Sequence, residues 1–261
     1  MNKVGIISHE ENPVNLLHLL HELDVENPIV HLNEPKLENH FIITVCRLII
    51  IDDCHISFPF LKLAIKNGCN LLFMYFPEWA ECKVDELIKL AEEAKVQVYF
   101  YDDVICYPDN LKHLTPSKQE TLIDCNLQFG KRADLELILF RILLILAMLD
   151  NSDLKRIGII NIPPQLTNLR FNLHSGIVLR MLMQTDSAEQ TSGFITLYRA
   201  HTENFNLTIN PLPPIKSVLR TLIQQEELYS GKLPNLNHYR QASKMLLAAR
   251  KKANYKDFFC R

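Results

Sequence analysis

Four consecutive residues, Asp52, Asp53, Cys54 and His55, offer two carboxylates, a thiol and an imidazole, all of them groups that ligate zinc or iron. Adjacent side chains rarely converge on one ion, and no second cluster stands at ligand spacing, so no metal is expected here. His9 and Glu10 form another polar group. His9 and His55 can face one crevice if each lies at the carboxyl end of a neighbouring parallel strand, with Asp53 or Glu10 as the accompanying carboxylate. His174 is a further candidate. His18 and His21, in HLLHEL, share one helix face but lack the acid and the spacing of a metal-binding helix. For a solitary histidine the plainer role is a surface or satisfied core residue.

The elements that must position these residues alternate in the first hundred positions between short apolar runs and helical stretches. The runs are Lys3–Ser8, Pro28–Leu32, Cys46–Ile51, Asn70–Tyr75 and Val96–Tyr101, with helices expected near Asn15–Leu23, Pro59–Lys66 and Lys83–Ala94. That alternation is the form of a parallel sheet covered by helices, a Rossmann-type βαβ domain over residues 1–108. A polar link, YPDNLKHLTPSKQET, follows. Residues 109–130 fit no clear element. A long apolar helix, Asp134–Leu149, leads into strands at Arg156–Ile162, Thr167–Asn172, Ile177–Gln184, Gly193–Arg199 and Asn204–Ile209, expected as a meander. Helices near Pro214–Leu228 and Asn237–Lys252 close the chain. Residues 109–261 therefore read as an α+β domain with an open, mostly antiparallel sheet, its last helix returning toward the first domain.

Composition narrows the function. Nearly half of the 261 residues are apolar and the net charge is −2, so the chain can bury one large core or two smaller ones, the length favouring two, and it carries no electrostatic footprint for nucleic acid. Seven cysteines, at 46, 54, 69, 82, 106, 125 and 260, form no CxxC pair and sit mostly in apolar runs, the habit of reduced thiols in a cytoplasm. The apolar run Ile142–Leu149 is too short to span a bilayer, and a membrane role is not expected.

Four segments carry a resemblance to a known family. KVGIISHEENPVNLLHLL stands where that family has its first strand, glycine loop and helix. AIKNGCNLLFMYFPEWAECKVDELIKLAEEAKVQVYF is similar to its stretch from AGKHVLCEKP to EEADELIALAEEAGV. GKRADLELILFRILLILAMLDNSDLKRIGII is similar to its GGGALLDIGIHLIDLLLWLLG helix and next strand. EELYSGKLPNLNHYRQASKMLLAARKKA resembles its closing helix. In order and pattern the chain resembles the Gfo/Idh/MocA family of NAD(P)-dependent oxidoreductases.

The resemblance implies where that family's chemistry would sit, and those positions hold other residues. A dinucleotide turn needs glycines so that the backbone can turn tightly and approach the pyrophosphate at a helix N-terminus. Counting from Gly5, the three glycine positions hold Ser8, Glu10 and Pro13. Glu10 and Glu11 add like charge there, costing on the order of 1 kcal/mol against a phosphate at a few ångströms. The ribose-binding acid of the family corresponds to Asn33, with Glu34 beside it, and its third-strand loop corresponds to Asp52, Asp53, His55 and onward to Ser57. The lysine of its EKP corresponds to Tyr75, or to Phe76 if the proline is aligned. In its DxGxHxxD helix the first Asp becomes Glu136, the Gly Ile138, the proton-accepting His Phe140 and the second Asp Leu143. Arg141 is the other charge within that stretch.

The expectation is a dehydrogenase-fold chain without hydride chemistry and without a bound cofactor. It acts as a dimerising, partner-binding or regulatory protein, as homodimer or heterodimer through the C-terminal sheet. Apolar residues at Leu173, Ile177, Leu179, Met181 and Met183 supply a face that helices or another subunit must cover. The alternative is a divergent NAD(P)-dependent oxidoreductase, or another enzyme reusing the interdomain cleft.

Overall fold

The computed structural model describes residues 3–8, 14–25, 28–32, 41–53, 55–102, 105–106, 120–130, 135–162, 166–186, 192–199, 205–207, 215–224 and 233–252. The chain divides into two compact units, Met1–Pro108 with Leu212–Asn237, and Asp109–Pro211 with His238–Arg261.

In the first unit, β1 (Lys3–Ser8), β2 (Ile29–Leu32), β3 (Cys46–Asp52), β4 (Asn70–Phe73) and β5 (Val98–Phe100) form a parallel sheet in the order β2-β1-β3-β4-β5. Its inner strands are buried almost without interruption: Val4, Ile6 and Ile7 on β1, Leu48 to Ile51 on β3, Leu71 to Phe73 on β4. Such runs lack the alternation of a half-exposed sheet because helices cover both faces of parallel sheets. The helices are α1 (Val14–His21), α2 (Phe41–Val45), α3 (Phe58–Lys66) and α4 (Glu81–Ala94). Ser57 caps α3 by accepting the Phe60 N–H, with Pro59 in its first turn; α4 ends on Lys95 in the left-handed region, φ 56°.

The short helix α2 was not foreseen, and it explains a glycine. A Cβ on Gly5 would stand 2.7 Å from both Cγ1 and Cδ1 of the fully buried Ile42, and 3.1 Å from the Cys46 Sγ. Gly5 therefore serves close packing of β1 against α2. Cys46 and Cys69 share this core; the Cys69 thiol donates to the Ile43 and Cys46 carbonyls, each at 3.2 Å. Burial pushes both thiols up to about 11, which keeps them protonated and unreactive.

In the second unit, β6 (Glu120–Gly130), β7 (Leu154–Ile162), β8 (Leu166–Leu173), β9 (Val178–Asp186), β10 (Ser192–Arg199) and β11 (Phe205–Leu207) form a mixed sheet in the order β11-β10-β6-β9-β8-β7. This corrects the expected meander. The stretch that fitted no element contains β6, which inserts between β10 and β9, antiparallel to the first and parallel to the second. Strands β6, β8 and β9 alternate: Ile123, Cys125 and Leu127, Leu169, Phe171 and Leu173, Leu179, Met181 and Met183 are buried, and the residues between them on each strand are half-buried or exposed; on β10, Thr196 is buried along with Ile195 and Leu197. The apolar helix α5 (Leu135–Leu149) shares this core, with every residue from Ile142 to Leu149 buried.

The helices α6 (Ile215–Gln224) and α7 (Leu236–Lys252) complete the chain. Residues 212–237 group with the first unit, where the sequence had suggested the second domain. The reason is local pairing. Phe100 donates its N–H to the Pro234 carbonyl at 3.0 Å, Tyr99 and Asn235 form an antiparallel bridge, and Lys216 on α6 pairs with Glu22 at 2.5 Å. Most of α7, from His238 onward, groups with the second unit. Among the described residues no helix is long and apolar enough to cross a membrane.

Candidate functional site

In an open parallel sheet, ligands sit beyond the carboxyl ends of the strands where strand order reverses, which here is between β1 and β3. Ser8 and Asp52 are register partners at that point, Ser8 fully buried and Asp52 half-buried. Asp53 follows at 1% exposure. Its Oδ1 accepts the His55 backbone N–H at 2.8 Å, and its carbonyl accepts the Tyr75 hydroxyl at 2.5 Å. Asp53 thus holds the turn after β3, the usual use of an aspartate whose carboxylate reaches a backbone N–H two residues on. His55 is exposed in that turn. His9, Glu10, Pro13, Asn33, Glu34 and Cys54 lie outside the described residues.

The structure brings Tyr75 and Phe76 into an aromatic group at the ends of β4 and β5. Phe73 meets Tyr75 edge-on at 5.8 Å and Trp79 edge-on at 5.2 Å, and stacks on Phe100 at 5.6 Å; Phe76 lies 6.0 Å from Phe100. Rings at these separations attract through their quadrupoles as well as by burial. Tyr75, with its hydroxyl committed to a carbonyl, ties this group to the loop after β3. Trp79, the chain's single tryptophan, is not among the residues that the sequence pattern marks; its place six residues after the end of β4, in FMYFPEW, is the available signal.

In the second unit the α5 positions are equally engaged. Phe140 is buried and meets Tyr239 on α7 at 5.3 Å with an interplanar angle of 61°, Leu143 is fully buried, and Glu136 is ion-paired with Arg250. Ile138 is half-buried. Tyr239 and Arg250 went unnoticed in the sequence because they lie about a hundred residues from their partners. Gln241 satisfies the end of α5, its amide donating to the Asp150 and Ser152 carbonyls at 3.1 and 2.7 Å. His174 lies exposed in the β8–β9 turn, its backbone N–H donating to the Asp153 carbonyl. Beside Tyr239, His238 is pushed down to about 4 by burial, so its imidazole is neutral at physiological pH. His18 pairs with Glu22 on the surface of α1 at 3.3 Å. Among the described residues, no three His, Cys, Asp or Glu side chains gather where a metal could be held.

These contacts set the chemistry available. A phenyl ring and a leucine stand at α5 positions where the family resemblance implies a proton acceptor and a carboxylate, and a tyrosine tied to a backbone carbonyl stands where it implies a lysine. Positions 75, 76, 140 and 143 carry no amine, imidazole or carboxylate.

Solved structures share the whole architecture. The UDP-N-acetylglucosamine 3-dehydrogenase GnnA from Acidithiobacillus ferrooxidans aligns at a TM-score of 0.65 with 10% identity, covering 95% of this chain and 96% of its own. The WlbA dehydrogenase from Bordetella pertussis, solved with NADH and UDP-GlcNAcA, aligns at 0.68 with 8% identity over 97% and 96%. The WlbA (WbpB) dehydrogenase from Thermus thermophilus, solved with NAD and alpha-ketoglutarate, aligns at 0.61 with 14% identity over 93% and 92%. The chain has the Gfo/Idh/MocA dehydrogenase fold. No protein-family model and no curated protein sequence matches it, so the likeness to the Gfo/Idh/MocA dehydrogenases lies in the order and pairing of elements.

Proposed function

We propose that this Gfo/Idh/MocA-fold chain does not perform proton-coupled hydride transfer and acts instead by association, with a second copy or an active relative, through the open face of its mixed sheet. The observation that carries the first part is Phe140: the helix position implied for the proton acceptor holds a buried ring against Tyr239. A phenyl group can neither take nor return a proton.

The open face supports the second part. Leu173, Ile177, Leu179, Met181 and Met183, whose apolar pattern first suggested a partner, are buried within the single chain, so the face left for a partner is the other one. It carries Asp124, Arg180, Asn126, Leu182, Leu122 and Tyr198, a mixture of ion pair, amide and apolar side chains suited to an interface with a polar share. Light scattering at micromolar concentration is expected to give a dimer that Leu182→Glu dissociates; a monomer that stays monomeric with any dehydrogenase relative supplied would overturn the association.

A second reading is favoured by the ligands of the solved neighbours, which hold NAD or NADH: a divergent NAD(P)-dependent oxidoreductase with relocated acid–base groups. In that reading residues 9–13 and 33–34, outside the described residues, meet the dinucleotide. Titration with NADH and NADPH, followed by nucleotide fluorescence, decides between them. Absence of binding is expected; binding at micromolar concentration overturns the expected lack of cofactor, and turnover with any sugar-nucleotide substrate overturns the loss of chemistry.

A further inference from the structure

The edge of the mixed sheet offers a site distinct from its open face. We propose that β7 receives an extended peptide as an additional strand, with an acidic end of that peptide held by Lys155, Arg156 and Lys252. Among the described residues β7 pairs only with β8, so one side of a nine-residue strand presents its backbone donors and acceptors. A surface groove of about 460 Å³ runs along this edge, bounded by residues 154–159 of β7 and by Ala248 and Lys252 near the end of α7.

Natural edges are usually blunted by bulges, lysines or prolines. One end of β7 is blunted in this way, because the register slips between Leu154 and Arg156 and leaves Lys155 outside the ladder. From Ile157 to Ile162 the pairing is regular, and no charge or proline interrupts IGIINI. Ile160 is 61% exposed there, and a Cβ built on Gly158 would find only the Arg170 Cβ, at 3.9 Å, leaving room for a partner's side chain. A cover over this run therefore gains both ladder hydrogen bonds and apolar burial.

Charge names the occupant. Lys155, Arg156 and Lys252 line the groove and are exposed, and none of them has a carboxylate partner among the described residues. Three cations at one end of an otherwise uncharged edge suit an extended segment that is β-branched or apolar along most of its length and carries adjacent acidic residues at one end. In such strand addition the main chain supplies affinity and the side chains select. The proposal holds whether or not the chain transfers hydride, and it uses the sheet's edge where the association above uses its face.

The test measures fluorescence anisotropy of the full chain with a fluorescein-labelled peptide, Val-Thr-Val-Thr-Glu-Asp, and with its reversed sequence. Saturable binding of either below about 100 µM is expected, weakening as salt rises. Charge reversal in the combined variant K155E/R156E/K252E should weaken it about tenfold or more, with an unchanged melting temperature showing that the fold is intact. I160K should weaken it as well. N-methylation of the peptide at one set of alternate residues should abolish binding while methylation of the other set is tolerated, because only alternate N–H groups face the strand. Equal effects of both sets, no binding of either peptide, or self-association of the chain that I160K alone abolishes would each overturn the proposal. Leu182→Glu, which addresses the open face, should leave peptide binding unchanged, so the two ideas can fail separately.

Discussion

The two sheets bury their side chains by different rules. In the parallel sheet neighbouring residues such as Ile49 and Ile50 are both fully buried, whereas in the mixed sheet Phe171 is fully buried and its neighbour Arg170 is exposed. Both follow from the period of two along a strand: two covered faces demand a continuous apolar run, and one covered face demands alternation. The parallel sheet gathers Ser8, Asp52 and Asp53 at its strand ends, while the association and the strand addition proposed above use one face and one edge of the mixed sheet.

The comparison is broken most readily by truncation. Ile49→Ala and Ile50→Ala should each lower stability by about 2–5 kcal/mol and Phe171→Ala by about 3–5, but Arg170→Ala by no more than about 0.5. Urea unfolding midpoints check this; a large loss at Arg170, or a small one at either isoleucine, would contradict the assignment of covered faces. Gly5→Ala should cost about 1–3 kcal/mol, since the new methyl meets Ile42 in a packed core and the strain must be taken up there. An unchanged melting temperature would show that α2 yields freely.

A pH response belongs to the second unit. The folded pKa of His238 lies below its ordinary value of 6.5, at about 4, so the unfolded chain takes up the proton first as pH falls. Its contribution is complete above pH 6.5 and declines toward pH 4, by on the order of 1–3 kcal/mol. His238→Gln should flatten that part of the stability curve; an identical slope in the variant would refute the assignment. Tyr75→Phe, which deletes the hydroxyl donating to the Asp53 carbonyl, should cost about 1 kcal/mol by thermal melting. The smallest effect belongs to the open face. The Arg180–Asp124 pair, in which Nε lies 2.9 Å from Oδ1, should show a coupling of about 0.2–1 kcal/mol in a double-mutant cycle, fading at high salt.

Most of the parallel sheet was legible in the sequence because its strands are uniform apolar runs: β1 and α3 begin and end within a residue of where the pattern places them. The missed elements share a cause. In β6, TLIDCNLQ alternates Leu122, Asp124, Asn126 and Gln128 with Ile123, Cys125 and Leu127, but the polar half and the preceding link masked a strand that lies in the middle of its sheet. In α2, the five residues FIITV include four β-branched ones, which favour strand, yet they are helical, with Ile42 packed where a Cβ on Gly5 would stand. Tertiary packing overrides so short a propensity.

At the candidate site the sequence determined residue types: a phenylalanine at 140 and an aromatic pair at 75 and 76 stand where the family resemblance implies a proton acceptor and an ammonium group. It also determined the fold class, since burial period is written into the order of apolar residues. Only the tertiary structure decided what these residues do instead. Tyr75 hydrogen-bonds the Asp53 carbonyl, Phe140 meets Tyr239, and Glu136 pairs with Arg250, contacts spanning from 22 to about a hundred residues of chain. A local pattern carries the direction in which a side chain leaves its own element; which partner waits there is set by how distant elements dock.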